Sequence, residues 1–390
     1  MMKTIVWVSI VIVLCFGLHV GDAQCFSDIP SGYWAEAYIN AIYDARITTG
    51  YGGTNEFKPD IEVSRDQMAA FITRAKEGEP ISDYCASGVP STDVDLSGWA
   101  CPYIKRLYEL NITQGYGGTN QYRPEVLVTR DQMAAFIIRA KEGEPVDNYC
   151  DSGSPFTDVP TSSWSCKYIK RLYELGVTIG YGGTAMYRPE LTVTRAQMAA
   201  FIGRAFLNMY AIDWQAYLNY QVGRAWQYET IGDEGTYSEY IKEITTKNGF
   251  TVYEKGWSSN YSDWLDYLTF GTDGVYFIGY YDEDQRADVF FSAPCWLLPN
   301  VVQLGTPLSV TCASDPPTVV EETFELVNGV TVPYGTFDNV IKVTRISVQD
   351  GTRIGWHAKG VGLIRDYKAS TNRDHPLLNV TDGHTSRPTN

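Results

Sequence analysis

Positive charge is scarce in this chain: 31 Lys and Arg stand against 46 Asp and Glu, a formal net charge of -15. That balance excludes an extended nucleic-acid surface, which needs a basic face, but leaves room for a local anion site in a single cleft. Histidine is scarcer still, with 4 in 390 residues. No G-x-S-x-G, H-E-x-x-H, phosphate loop or EF-hand spacing occurs, so the common signatures of nucleophilic hydrolases, zinc peptidases, nucleotide binders and calcium loops are missing. No C-x-x-C pair with a nearby His completes a zinc site, and no cofactor motif is present. Beyond the N-terminus there is no apolar run of membrane length.

What is present is a globular composition rich in aromatics, 44% apolar with 28 Tyr,. Residues 1–23 read as a signal peptide. Lys3 supplies the positive end, residues 5–18 are apolar apart from Ser9 and Gly17, and Gly21-Asp22-Ala23 offers small residues for cleavage,. The run is short for a bilayer span; an uncleaved membrane anchor is the alternative reading. Export implies an oxidising compartment, where close cysteine pairs read as disulfides. Cys85 and Cys101 are 16 apart, as are Cys150 and Cys166, and Cys295 and Cys312 flank a third short loop. Cys25 is left over, either free or paired between chains.

Internal repetition is the strongest signal. Trp34, Trp99 and Trp164 are spaced by 65 residues, as are Pro59, Pro124 and Pro189, and Arg65, Arg130 and Arg195. Each unit reads as helix, loop, helix. In the second unit Trp99, Tyr103, Ile104, Leu107 and Tyr108 recur at helical spacing and give the first helix one apolar face,. A Gly-Tyr-Gly-Gly-Thr loop follows. The second helix opens on Ser64, Thr129 or Thr194 as N-cap, with Gln67, Gln132 or Gln197 three residues on, the pattern of a capping box,. Gly78 and Gly143 close it in the first two units. One such hairpin cannot bury both apolar faces, so the spacing predicts a bundle of three quasi-equivalent units with the loops outside. The units divide as 24–80, 81–145 and 146–210. Glu36 stands where Cys101 and Cys166 stand, so the first unit lacks the disulfide.

The carrying residues are Phe26-Ser27-Asp28-Ile29-Pro30 with Trp34-Ala35, and Phe156-Thr157-Asp158-Val159-Pro160 with Trp164. To these add the loops ending at Pro59, Pro124 and Pro189, and the pairs Ser64-Arg65, Thr129-Arg130 and Thr194-Arg195. On them, residues 26–210 resemble three S-layer homology repeats. The resemblance implies a pseudo-threefold helical bundle whose clefts bind anionic cell-wall polymers. It assigns glycan binding to Ser64, Arg65, Thr129, Arg130, Thr194 and Arg195, to Trp34, Trp99 and Trp164, and to the loop residues Tyr51, Tyr116 and Tyr181. The chain departs from the family pattern where Gln67, Gln132 and Gln197 replace an acidic residue and where Asp66 and Asp131 follow the arginine. The identity of the polymer, and a Gram-positive wall against a diderm envelope, stay open.

Physical chemistry singles out the same positions. A helix N-terminus carries unpaired N–H groups and a partial positive charge, and each Arg sits one residue inside it with forked donors. Lys58, Arg123 and Arg188 add a second cation beside each loop. Bland readings stand beside these: arginines tying the loops down through backbone carbonyls, tryptophans beginning a buried helix face, tyrosines packing within the loops.

From residue 211 the repeats stop and alternating segments appear between turn residues. Candidate strands at 251–253, 274–281, 289–291, 340–348 and 352–358 predict an antiparallel β-rich domain over 211–370, a curved sheet or half-barrel stapled by Cys295 and Cys312. Asn328-Gly329 reads as a hairpin turn between 323–327 and 330–332. Residues 371–390 read as a flexible tail. The stretch from Pro333 to Val340, with Trp356 to Gly362, is similar to segments of exported β-domains, some of them lipoprotein-carrier-like half-barrels. His357 reads as structural, and the acidic turn at Asp282 as solvated surface. The fold class is therefore multidomain α + β. The leading function is a non-enzymatic exported envelope protein, held on an anionic envelope polysaccharide or peptidoglycan-linked polymer. An anchored glycan hydrolase, an apolar-ligand carrier or sensor, and a self-assembling surface-layer protein are the alternatives.

Overall fold

The structure, a computed structural model, describes residues 26–80, 84–182, 184–231, 235–258, 263–271, 274–282, 285–312, 318–348 and 351–381. The expected signal peptide and Cys25 lie outside the described residues.

The repeats form α1 (Glu36–Asp44) and α2 (Arg65–Glu77), α3 (Cys101–Glu109) and α4 (Arg130–Glu142), and α5 (Cys166–Glu174) and α6 (Arg195–Phe206). The second helices α2, α4 and α6 pack on one another at the centre. Each first helix packs on the second helix of the unit before it, α3 on α2 and α5 on α4, and α1 closes the ring on α6. The periodic apolar positions feed one core: Ile39, Ile104 and Ile169 and Met68, Met133 and Met198 are fully buried. At the pseudo-threefold axis the buried Val63, Val128 and Val193 exchange backbone hydrogen bonds in a ring. Val63 N–H donates to Val193 at 2.8 Å, Val193 to Val128 at 3.0 Å, and Val128 to Val63 at 2.9 Å. Cys85–Cys101 and Cys150–Cys166 are disulfides. In the first unit Glu36 instead accepts from the Gly32 N–H at 2.8 Å.

The capping box forms only in the third unit, where Thr194 Oγ1 accepts from Gln197 N–H and Gln197 Oε1 accepts from Thr194 N–H. In the other two an aspartate intervenes: Ser64 and Thr129 donate to Asp66 and Asp131, which themselves accept from Gln67 and Gln132 N–H at 2.7 Å. A carboxylate one residue closer outcompetes the glutamine; the third unit, with Ala196 there, has no such competitor,.

The remainder comprises one short helix, α7 (Trp214–Leu218), and the strands β1 (Met209–Ala211), β2 (Ala225–Glu229), β3 (Thr236–Lys247), β4 (Phe250–Ser258), β5 (Asp263–Phe270), β6 (Gly274–Asp282), β7 (Ala287–Pro299), β8 (Val301–Gln303), β9 (Leu308–Cys312), β10 (Thr318–Val327), β11 (Val330–Val332), β12 (Gly335–Phe337), β13 (Val340–Ser347), β14 (Gly351–Ala358), β15 (Gly362–Lys368) and β16 (Arg373–Thr381). A 12-stranded antiparallel sheet runs β7-β6-β5-β4-β3-β2-β16-β15-β14-β13-β10-β9 and curls until its edge strands β7 and β9 approach each other. Cys295 on β7 is disulfide-bonded; the side chain of Cys312, its expected partner, lies outside the described residues. β1 leaves α6 and pairs with β8, and Met209 and Val301 pack into the helical core, so the two halves share a seam.

Two expectations fail here. Asn328-Gly329 does not join a paired hairpin: β10 pairs with β13, and β11 pairs with β12 as a separate small hairpin. Its neck is clamped by Asn328 Oδ1 accepting from Asn339 N–H at 2.7 Å and Asp338 Oδ1 from Gly329 N–H at 2.9 Å. Residues 371–390 are not a flexible tail throughout, because β16 is an interior strand between β15 and β2. Its partner β2 lies far back in the chain, so local composition carries no trace of that pairing.

Candidate functional site

Each glycine loop is held from below by an aspartate. Asp28, Asp93 and Asp158 accept from the two consecutive N–H groups of Phe57-Lys58, Tyr122-Arg123 and Tyr187-Arg188 at 2.7–2.8 Å. Lys58, Arg123 and Arg188 take positive φ, near 57°, which a right-handed turn cannot supply,. From above, each loop is gripped by the arginine of another unit. Arg65, Arg130 and Arg195 Nε donate to the carbonyls of Tyr122, Tyr187 and Phe57, each at 2.7 Å.

The arginines are therefore interior residues, 3%, 3% and 4% exposed. Their guanidinium carbons lie about 4.6 Å from the Tyr122, Tyr187 and Phe57 rings and 5.1–5.2 Å from the Tyr116, Tyr181 and Tyr51 rings. Burial lowers all three pKa values, that of Arg195 to about 10, which leaves it cationic at neutral pH,. The tie-down reading and the ligand reading share one side chain. Nε closes the loop, while Nη2 of Arg65 and of Arg130 has no hydrogen-bond partner; Nη2 of Arg195 reaches the Gly50 carbonyl at 3.2 Å.

The helix N-termini are not the anion site that their position suggests. Arg65 and Asp66 N–H donate to Val126 and Pro124 carbonyls, Arg130 and Asp131 to Leu191 and Pro189, and Arg195 and Ala196 to Ile61 and Pro59, at 2.8–3.1 Å. Closing the threefold ring consumes those donors. The hydroxyls of Ser64 and Thr129 donate to Asp66 and Asp131, and that of Thr194 caps its helix.

The tryptophans differ from the buried-face reading as well. Trp34, Trp99 and Trp164 are 51%, 57% and 55% exposed, while Tyr103, Ile104 and Leu107 of the same stripe are buried. Helical register begins only after the N-caps Ala35, Ala100 and Ser165, so each Trp precedes its helix and projects from the bundle. The loop tyrosines are half-buried, each within cation–π range of two cations. Tyr51 has Arg195 and Lys58, Tyr116 has Arg65 and Arg123, and Tyr181 has Arg130 and Arg188,.

These groups converge in clefts between the units. One, of about 410 Å³, is bordered by Thr48 to Gly52 and Gln67 of the first unit, Trp99 of the second and Arg195 of the third. Another of about 410 Å³ repeats it one step on, with Tyr116 and Gln132, Trp164, and Arg65. In both, the glutamine Oε1 is buried without a partner, because the aspartate displaced it from the cap. Sequence reasoning missed these glutamines and Arg74 and Arg139 on the cleft walls; Arg74 and Arg139, paired with Glu79 and Glu144 at 2.6 Å, obey the same 65-residue period. What the period cannot reveal is that each cleft takes one piece from each of three units.

The family model of the S-layer homology domain matches residues 26–69, 92–134 and 155–199. Among curated proteins, an endoglucanase of Bacillus sp. (strain KSM-635) is 28% identical over 61% of this chain and 27% of its own length. The S-layer protein sap of Bacillus anthracis is 26% identical over 46% of this chain and 21% of its own. The cellulosome-anchoring protein of Acetivibrio thermocellus is 27% identical over 50% and 43%. The chain thus spans roughly a quarter of the first two relatives. A solved structure of YmcC-like fold from Bacteroides fragilis aligns with 43% of this chain and 99% of that one at 12% identity, with a TM-score of 0.25. Among the described residues no helix is long and apolar enough to cross a membrane. The N-terminal half of this chain is a set of three S-layer homology repeats, and they place it outside the cytoplasm, at the cell envelope.

Proposed function

We propose that the clefts between the repeats hold an anionic envelope glycan, so that the helical half anchors the chain non-covalently and displays the β-domain. The observation that carries this reading is the composite cleft. An exposed indole, a buried guanidinium and an unpartnered amide oxygen are brought together from three units, and the assembly is built at least twice on one rigid body. The indole offers a flat apolar surface for a sugar ring, the guanidinium attracts acidic substituents, and the glutamine oxygen accepts from a hydroxyl. Several clefts acting on one polymer raise avidity about a hundredfold or more over a single cleft.

The test is sedimentation of the full chain with envelope sacculi, before and after chemical removal of their secondary polymers. Binding that disappears on stripping, and that falls about a hundredfold in a Trp34→Ala/Trp99→Ala/Trp164→Ala variant that still melts cooperatively, is the expected result. Equal sedimentation of parent and variant would remove the clefts from the account.

A further inference from the structure

The curled sheet encloses a second site. A cavity of about 350 Å³ opens on its concave side, walled by β3 to β7, β13 to β15 and the segment after α7. Half of its wall is apolar, with Leu268, Val275, Phe277 and Leu297. A third of the lining residues are charged. Lys255 Nζ pairs with Glu239 at 2.8 Å, Arg353 with Asp366 at 2.9 Å, and Trp257 Nε1 donates to Asp266 at 2.7 Å. Glu239 is 2% exposed, and Lys255 9%.

A core has no use for this arrangement. Buried ion pairs contribute little to stability, and apolar residues of the same volume would serve as well or better. Moreover the polar groups are incompletely satisfied. Glu239 Oε1 and His357 Nδ1 are buried without hydrogen-bond partners. Burial, with the nearby Lys255 and Arg345 charges, drops the His357 pKa to about 3, so its ring is neutral. His357 and Tyr220 keep some accessible surface although protein surrounds them, as residues on the wall of an open cavity do. At Gly355 the chain leaves room that a side chain would take: a Cβ there would stand 3.2 Å from His357 Nε2 and 3.3 Å from Leu363.

We propose that this cavity binds a neutral, hydroxyl-bearing small molecule, with a single sugar ring as the class that fits. Lys255, Arg345 and Arg353 each already face a carboxylate, so an anion has to break a pair or enter uncompensated, while Asp266 accepts from Trp257 Nε1 and burial disfavours its charge, so a cation gains little there,. A wholly apolar ligand would cover the polar part of the wall without satisfying it, which disfavours the apolar-carrier reading,. Hydroxyl groups bond the polar atoms that face the cavity, and the apolar wall takes the C–H face of the ring,. The proposal is independent of the clefts and survives if they bind nothing.

The experiment is ligand-observed saturation-transfer NMR on the full chain at neutral pH. The probes are N-acetylglucosamine, the cation glucosamine, the anion glucuronate, and laurate. Saturation of N-acetylglucosamine is expected to exceed that of the three charged or apolar probes. It should weaken by about tenfold or more in both Leu297→Trp, which fills the cavity, and Glu239→Gln, which alters one acceptor. It should persist in the triple Trp→Ala cleft variant. Melting curves show which variants are folded; Leu297→Trp leaves the buried ion pair intact if Glu239→Gln does not fold. Absence of any N-acetylglucosamine signal overturns the proposal. So does preference for laurate or either charged sugar, persistence of the signal in a folded Leu297→Trp protein, or its loss in the cleft variant.

Discussion

Replacing Arg195 and replacing Trp99 should separate holding the bundle together from touching a ligand, although both residues border one cleft. Arg195 donates from Nε to Phe57 at 2.7 Å and from Nη2 to Gly50 at 3.2 Å, both across the junction that joins the third unit to the first. Hydrogen bonds from a charged group contribute about 1.5–3 kcal/mol each, so Arg195→Ala forfeits roughly 3–6 kcal/mol gross. Relief from keeping a cation desolvated returns part of that, for a net loss of about 3 kcal/mol. In a bundle of this size each kcal/mol moves the melting temperature by about 2–4 °C, giving a fall of about 6–12 °C. Trp99, 57% exposed with its ring 6.1 Å from that of Tyr103, should cost about 1 kcal/mol or less on replacement by Ala,. Its effect should appear in sacculus binding instead. Melting of the full chain, followed by the helical circular-dichroism signal, reads both variants. If Arg195→Ala melts within about 2 °C of the parent, the arginine does not close the ring and the architectural argument fails.

Acid should loosen the second and third units through Glu144. Burial alone would raise its pKa, but hydrogen bonds from Arg139, Lys167 and Tyr168 outweigh this and bring it from 4.5 to about 2. Its stabilisation is therefore present above pH 4.5 and lost as pH falls towards 2, and Glu144→Gln should flatten the melting profile over that window,. Removing the disulfide by Cys150→Ser/Cys166→Ser should cost about 3 kcal/mol in chemical denaturation, since the bond closes a loop of 16 residues; an unchanged midpoint would contradict it,. Thr194→Ala should cost about 1 kcal/mol, whereas Asp131→Ala should cost no more than about 0.5 kcal/mol, because Gln132 can then form the box that Gln197 forms beside Ala196,. Urea midpoints decide between the two.

The sequence by itself determined the repeat, the helix–loop–helix unit, the two disulfides at a spacing of 16 and the change to strands after the repeats. These follow from period, caps and glycine turns, which act over a few residues and are written locally. Tertiary structure alone decided that the helix N-terminal N–H groups are consumed by neighbouring loops, and that the tryptophans stand outside the core. It also decided that a cleft draws on three units and that β16 lies inside the sheet. The charged cavity has the same origin. Glu239, Lys255, Asp266, Arg353 and Asp366 each look like the solvated position of an alternating strand, and a sheet open to water on that side would have left them so. Only when the sheet curls, bringing β7 and β9 together, does its concave face become an interior and the ion pairs a wall. Curvature is the sum of small twists over twelve strands, and no window of sequence contains it,.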